Sequence, residues 1–164
     1  MENFQTSHLG MLTANGFPAS ASTLVGEALH LELVDPIPDQ SQATVQWALV
    51  GRKLFARETL GRVTWRTLKH SNLDTKEGHT VCIEGMEFIL RLPKIGADKR
   101  LSELTWFGDC WALNRDPFLG DDSFVVRGRI IRNAGGNTMM FENVGYEDRD
   151  LDRRLQLIPV MEPI

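Results

Sequence analysis

The sequence predicts a β-rich α+β fold: a single domain of antiparallel sheets with one or two short helices. Three observations predict it. Apolar and polar residues alternate in short runs, a period of two rather than the 3.6 of a helix. Those runs are rich in β-branched and aromatic residues and are bounded by Gly, Pro, Asn and Asp, which punctuate strands. The chain has 164 residues, 42% hydrophobic and 24% charged, a balance suited to one globular core. A chain of this length buries roughly 68–70% of its unfolded surface, so it folds without a disulfide or metal staple.

Residues 3–23 carry Gly10, Gly16, Pro18 and the run Ala19-Ser20-Ala21-Ser22, while Leu9, Met11 and Leu12 keep no sustained period. An irregular or flexible arm is therefore expected over 1–23, followed by one β-rich domain over 24–164. Ala28, Leu29, Leu31 and Leu33 interleave with His30 and Glu32 before Asp35-Pro36, a strand closed by a turn. Val45, Trp47 and Leu49 mark a second strand over 42–52, and the basic segment 52–57 is open between helix and strand. Over 61–68, Val63, Trp65 and Thr67 alternate with Arg62, Thr64 and Arg66, which predicts a strand. After a polar loop over 69–79, residues 80–93 predict a hairpin turning at Glu84-Gly85, where Gly85 accepts a positive φ. Phe88, Leu90 and Leu92 should share one face. Over 97–107, Leu101, Leu104, Trp106 and Phe107 fall near a helical spacing, with Asp98 and Gly108 as caps. Strands are expected again over 123–132, 138–144 and 155–160.

The balance of charge narrows the partners. With 18 Lys+Arg against 22 Asp+Glu the formal charge is −4, which argues against general affinity for nucleic acid or anionic membrane. The early residues Glu2 and Gln5 interrupt any basic-then-apolar leader, and no apolar run reaches the length of a membrane helix, so a cytoplasmic location is expected. Cys82 and Cys110 lack CxxC or CxxH neighbours and are expected as free thiols. His8, His30, His70 and His79 show no metal-ligand spacing, and no P-loop, GxGxxG or GxSxG stands in the chain. Neither a metal nor a cofactor is expected.

Two constellations are the candidate ligand-binding residues. Arg127, Arg129 and Arg132 fall on one predicted strand; the i,i+2 spacing puts the first two on one face, where guanidinium forks match phosphate or carboxylate oxygens. Gly128 between them leaves room for a ligand to approach. Trp106, Asp109 and Trp111 lie within six residues, and indoles stack sugars or bases. Each has a structural alternative: an arginine face paired with local acids, and a pair of core anchors. Asp148, Asp150 and Asp152 alternate as calcium ligands do, but the Gly and bidentate Glu of an EF-hand loop are missing, which favours a charged turn.

The hairpin with Gly85 and Arg91-Leu92-Pro93, the segment from Trp106 to Leu113, Arg127-Gly128 after an apolar pair, and the closing run from Arg154 to Glu162 together resemble a family. They are similar to the small C-type-lectin-like proteins of phages and prophages, relatives in fold of formylglycine-generating-enzyme domains. The resemblance covers about residues 80–162. It departs from the usual Arg-Gly-Gly-Ser-Trp at Arg129-Ile130, and from Gly-Phe-Arg at Asp152-Arg153-Arg154. It implies two small antiparallel sheets, one or two helices and long ligand-bearing loops, and a phage-encoded accessory or counter-defence role. The scaffold itself hosts binding proteins and enzymes alike. The function expected is a non-catalytic binding protein for a small anionic ligand or a protein partner. The alternative is an enzyme drawing acid/base groups from Asp109, Glu142 or the aspartates around 121 and 148.

Overall fold

The computed structural model describes residues 5–19, 30–37, 44–73, 77–93, 110–113, 125–133, 136–143 and 154–164, with residues 65, 110–113, 125–133, 136–143, 154 and 155 described by their backbone. The architecture is β-rich. The first sheet has eight strands: β1 (Gln5–Ala14), β2 (Phe17–Pro18), β3 (Leu31–Val34), β4 (Thr44–Val50), β5 (Lys53–Ala56), β7 (His79–Ile83), β8 (Met86–Arg91) and β13 (Val160–Pro163). The second has five: β6 (Arg62–Thr64), β9 (Cys110–Leu113), β10 (Val125–Asn133), β11 (Gly136–Asn143) and β12 (Arg154–Gln156). Among the described residues pairing is antiparallel, apart from the parallel contact of Gln156 with Cys110. The expected antiparallel sheets are therefore present among the described residues. The helix expected over 97–107 lies outside them.

The first sheet curls on itself. Its hydrogen-bonded path runs β2-β1-β4-β5-β13-β8-β7, with β3 pairing β1. β3 also lies against β7, Cα atoms within 8 Å, with no ladder between them. The two run in the same direction: His30 stands beside His79 at one end, and at the other the backbone N–H of Glu84 donates to Asp35 Oδ1 at 2.7 Å. The curled sheet wraps a core that includes Leu12, Leu31, Leu33, Trp47, Phe55, Val81, Ile83, Leu90, Val160 and Met161. Trp47 is wholly buried and its indole N–H donates to the Leu9 carbonyl at 2.8 Å, so the largest core side chain leaves no polar atom unpaired.

The irregular arm expected over 1–23 is corrected over residues 5–18; residues 1–4 and 20–23 lie outside the described residues. Residues 5–14 form β1, paired with β4 along its first half and with β3 along its second. The register against β4 slips between His8 and Met11, a bulge. Beyond it residues 10 to 13 are all buried, so no alternation survives for a sequence pattern to show. Asn15-Gly16, at φ 52° and 84°, then turn the chain into β2.

The strand expected over 61–68 is corrected in its second half. β6 ends at Thr64, and α1 (Trp65–His70) follows. Thr64 is extended, at φ −85° and ψ 162°, and its hydroxyl accepts from the Thr67 N–H at 3.3 Å, an N-cap that outweighs the local β propensity. The open segment 52–57 contains β5. The expected hairpin is borne out: β7 and β8 pair from His79↔Leu90 to Ile83↔Met86. Phe88, Leu90 and Leu92 are buried, and Glu84 and Gly85, at φ 52° and 77°, form the two-residue turn.

The terminal strand expected over 155–160 is two strands in two sheets. β12 pairs β6, and β13 pairs β5 and β8. Between them the ladder continues through Ala56 N–H to the Pro159 carbonyl (3.0 Å), Leu60 N–H to the Leu157 carbonyl (2.8 Å) and Leu157 N–H to the Gly61 carbonyl (2.8 Å). Residues 57–59 stand between those rungs opposite Ile158, which is wholly buried. A bent ribbon thus joins the β5–β13 pair inside the first sheet to the β6–β12 pair of the second. Pro159, which has no N–H, sits where only its carbonyl is needed.

Candidate functional site

Of the six sequence-predicted ligand residues, Trp106 and Asp109 lie outside the described residues. The other four stand on adjacent strands of the second sheet. β10 runs between β9 and β11, and Arg127 is the register partner of Trp111 on one side and of Glu142 on the other. Gly128 is opposite Cys110 and Phe141, and Arg129 is opposite Met140. Two segments nominated independently are thus neighbours, 16 residues apart in sequence but directly paired. Arg132, opposite Asn137, is an odd number of residues from Arg127 and Arg129 and falls on the other face of the strand. The three arginines divide into a pair and one apart. The aspartates around 121 and 148 lie outside the described residues.

The histidines bring a second constellation that sequence spacing does not show. His30 precedes β3, His70 ends α1 and His79 opens β7. The rings of His30 and His70 have centroids 6.3 Å apart at an interplanar angle of 81°; those of His30 and His79 are 5.9 Å apart at 72°. Both pairs stand edge to face. His30 and His79 are half-buried and His70 is exposed.

Each ring is brought there by identifiable bonds. The His30 backbone is held by Asn15: its N–H donates to Asn15 Oδ1 at 2.9 Å, and its carbonyl accepts from Asn15 N–H at 2.8 Å. α1 ends at Ser71, whose N–H returns to the Thr67 and Leu68 carbonyls. The Ser71 hydroxyl, wholly buried, accepts the Leu31 N–H at 2.9 Å. That one bond fixes the end of α1, with His70, against the start of β3. His79 is set by its pairing with Leu90.

The electrostatic situation of this cluster is unusual in one respect. Nε2 of His79 is buried and has no hydrogen-bond partner. Buried polar atoms are nearly always paired, and an exception invites a ligand, ion or water as explanation. The fourth histidine, His8, lies apart as an exposed residue of β1 opposite Gln46.

Cys82 is a free thiol on the exposed face of β7; Cys110 is described by backbone alone. Among the described residues, no group of three or more His, Cys, Asp or Glu side chains could hold a metal ion. Among those residues, no helix is long and apolar enough to cross a membrane. Comparisons with protein-family models, with curated proteins and with solved structures return no match.

Proposed function

We propose that this chain is a non-catalytic binding protein that takes a small anionic ligand on the β9–β10–β11 sheet, at the face assigned to Arg127, Arg129 and Trp111. The observation that supports it is the register: Arg127 pairs with Trp111 across β9 and β10. A guanidinium and an indole at paired positions offer one charged fork and one stacking surface, the combination a phosphate-bearing aromatic ligand uses. Glu142 is the register partner of Arg127 on the other side, and a carboxylate at that position opposes an anion in charge. The C-type-lectin-like assignment of residues 80–162, with a phage accessory or counter-defence role, belongs to the same reading. Antiparallel pairing of β9, β10 and β11 supports it only as far as architecture.

The test incubates the protein with nucleotides, among them cyclic nucleotides and ADP-ribose, then denatures the protein and analyses what is recovered. Intact ligand in proportion to protein is the expected result. Arg127→Ala and Arg129→Ala should each weaken binding about tenfold, as loss of a charge-assisted hydrogen bond does, with little change in melting temperature. Glu142→Gln should strengthen it. Multiple-turnover consumption would overturn the reading in favour of a carboxylate-based enzyme. Failure of every nucleotide to bind would move it to a protein partner.

A further inference from the structure

We propose that Asn15-Gly16 is a self-modification site, at which the Gly16 backbone nitrogen closes on the Asn15 side chain, ammonia leaves, and one of the two products releases the start of β3. Of the seven asparagines in the chain, Asn15 alone is followed by glycine. The pair forms the turn between β1 and β2, at φ 52° and 84°, and both residues are exposed. Three features of that turn bear on the reaction. The electrophile is the carboxamide carbon of Asn15, whose Oδ1 accepts the His30 N–H at 2.9 Å; this donor is aimed at the oxygen that gains negative charge during attack. The nucleophile is the Gly16 nitrogen. The closing bond of a two-residue turn joins the residues on either side of it, here Ala14 and Phe17, and leaves the Gly16 N–H out of the ladder. A Cβ at Gly16 would meet nothing within 4 Å, so the ring closes into open space.

The chemistry needs only the chain and water. A bond forms between the Gly16 nitrogen and Asn15 Cγ, the bond from Cγ to Nδ2 breaks, and the Gly16 amide proton leaves with that nitrogen as ammonia. The intermediate is a cyclic imide with the chain intact. Water then adds to one of the two ring carbonyls, breaks its bond to the Gly16 nitrogen and returns a proton to that nitrogen. Addition at Cγ gives the aspartyl product. Addition at the Asn15 main-chain carbonyl gives the isoaspartyl product, in which the main chain runs through Cβ and Cγ. Nothing is oxidised or reduced in either branch.

The two products differ in what they do to β3. Asn15 holds His30 twice, through Oδ1 and through its own N–H to the His30 carbonyl at 2.8 Å, just beyond the last β1–β3 pair, Ala14↔Leu31. The aspartyl product keeps an acceptor at the same place, so both bonds persist. The isoaspartyl product lengthens the main chain of the turn by one carbon and moves the carboxylate onto Cα. The acceptor then no longer stands where the His30 N–H points, and the turn no longer matches the β1–β2 register. Conversion at one exposed turn thus loosens the end of β3 that carries His30. The site is separate from the arginine and tryptophan positions, and its failure leaves the proposed anion binding untouched.

The test holds the full chain in mildly alkaline buffer made with heavy-oxygen water, digests aliquots over time and reads the peptides by mass spectrometry with electron-transfer fragmentation, which separates aspartyl from isoaspartyl. The expected result is loss of ammonia at Asn15 before any other asparagine, uptake of heavy oxygen at that residue, and both products. Asn15→Ser should show no conversion at this position, and Gly16→Ala should slow it several-fold, because a side chain narrows the backbone freedom that closure uses. In amide exchange the isoaspartyl fraction should lose protection at His30 and Leu31, whereas Asn15→Asp should keep it. The proposal is overturned if Asn15 keeps its amide over a period in which the same chain unfolded in urea loses it, since the turn then protects the pair. It is overturned equally if another asparagine converts first, or if the isoaspartyl fraction keeps the protection of His30. The time course of the unsubstituted chain decides the matter even if a variant fails to fold.

Discussion

Two glycines in the β7–β8 hairpin separate conformational strain from steric exclusion. Gly78 and Gly85 both sit in the left-handed region, at φ 60° and 77°. An added Cβ at Gly85 would meet nothing within 4 Å, whereas at Gly78 it would lie 2.5 Å from the Leu90 carbonyl oxygen, 2.9 Å from Ile89 Cγ2 and 3.0 Å from Arg91 Cβ. Gly85→Ala therefore carries the left-handed penalty alone, about 1–2 kcal/mol for an L-residue. Gly78→Ala carries the same penalty and in addition forces a methyl into a backbone oxygen of the partner strand. That oxygen belongs to the ladder and cannot swing aside as a side-chain tip would, so the overpacking term of about 1–3 kcal/mol applies in full.

Urea unfolding, followed by intrinsic fluorescence, reads the difference. With a slope of about 2 kcal/mol per molar, an extra 2 kcal/mol lowers the midpoint of Gly78→Ala by about 1 M relative to Gly85→Ala. The slopes themselves should agree, since neither substitution alters the surface exposed on unfolding. Equal midpoints for the two variants, or a lower one for Gly85→Ala, would show that the chain just before β7 does not approach Leu90 as closely as 2.5 Å.

The other expectations rest on single bonds. Ser71→Ala leaves the Leu31 N–H buried without its acceptor; it should cost about 1–3 kcal/mol and speed exchange of the Leu31 amide, and an unchanged exchange rate would mean that α1 is not anchored there. Glu162→Ala removes the partner 3.2 Å from the Arg91 guanidinium, whose side chain is 4% exposed against 38% for Glu162. The half-exposed carboxylate limits the loss to about 1–2 kcal/mol, read as a lowered melting temperature, and Glu162→Gln should recover part of it. Thr64→Val keeps the shape but deletes the N-cap acceptor, at about 1 kcal/mol; Thr64→Ser should restore most of that stability in a denaturation curve.

What the sequence shows and what it hides divides along physical lines. The β7–β8 hairpin is legible because two independent signals coincide: alternation that buries Val81, Ile83, Phe88 and Leu90, and a turn residue at Gly85. The sequence does not show that Glu84 also takes a positive φ, because the Asp35 carboxylate that holds its N–H comes from 49 residues away. β1 is hidden by its own bulge, which places residues 10 to 13 in the core together and erases the period. α1 is hidden because Val63, Thr64, Trp65 and Thr67 favour strands individually, and only the hydrogen bond from Thr67 N–H to Thr64 turns them into a helix start. Arg127 and Trp111 are each visible as ligand-binding types. Their pairing is a fact of register, which no local window contains. The histidine cluster is the extreme case: spacings of 40 and 9 residues match no motif, and the rings meet only because β3 lies along β7 and Ser71 ties α1 to Leu31.

The histidine cluster also carries a cost in hydrogen bonding. Elsewhere the buried polar groups of the first sheet are matched: Thr13 donates to the Glu32 carbonyl at 3.1 Å, Trp47 to Leu9, Arg91 to the Leu92 carbonyl at 2.9 Å, and Ser71 accepts from Leu31. Among the described residues, His79 Nε2 alone is a buried side-chain nitrogen or oxygen without a partner. Leaving such an atom unpaired costs about 1–3 kcal/mol, here on a residue that is otherwise half-buried. The unpaired nitrogen at this position therefore subtracts from stability, and the edge-to-face contact with His30 at 5.9 Å is the packing the ring gains in return.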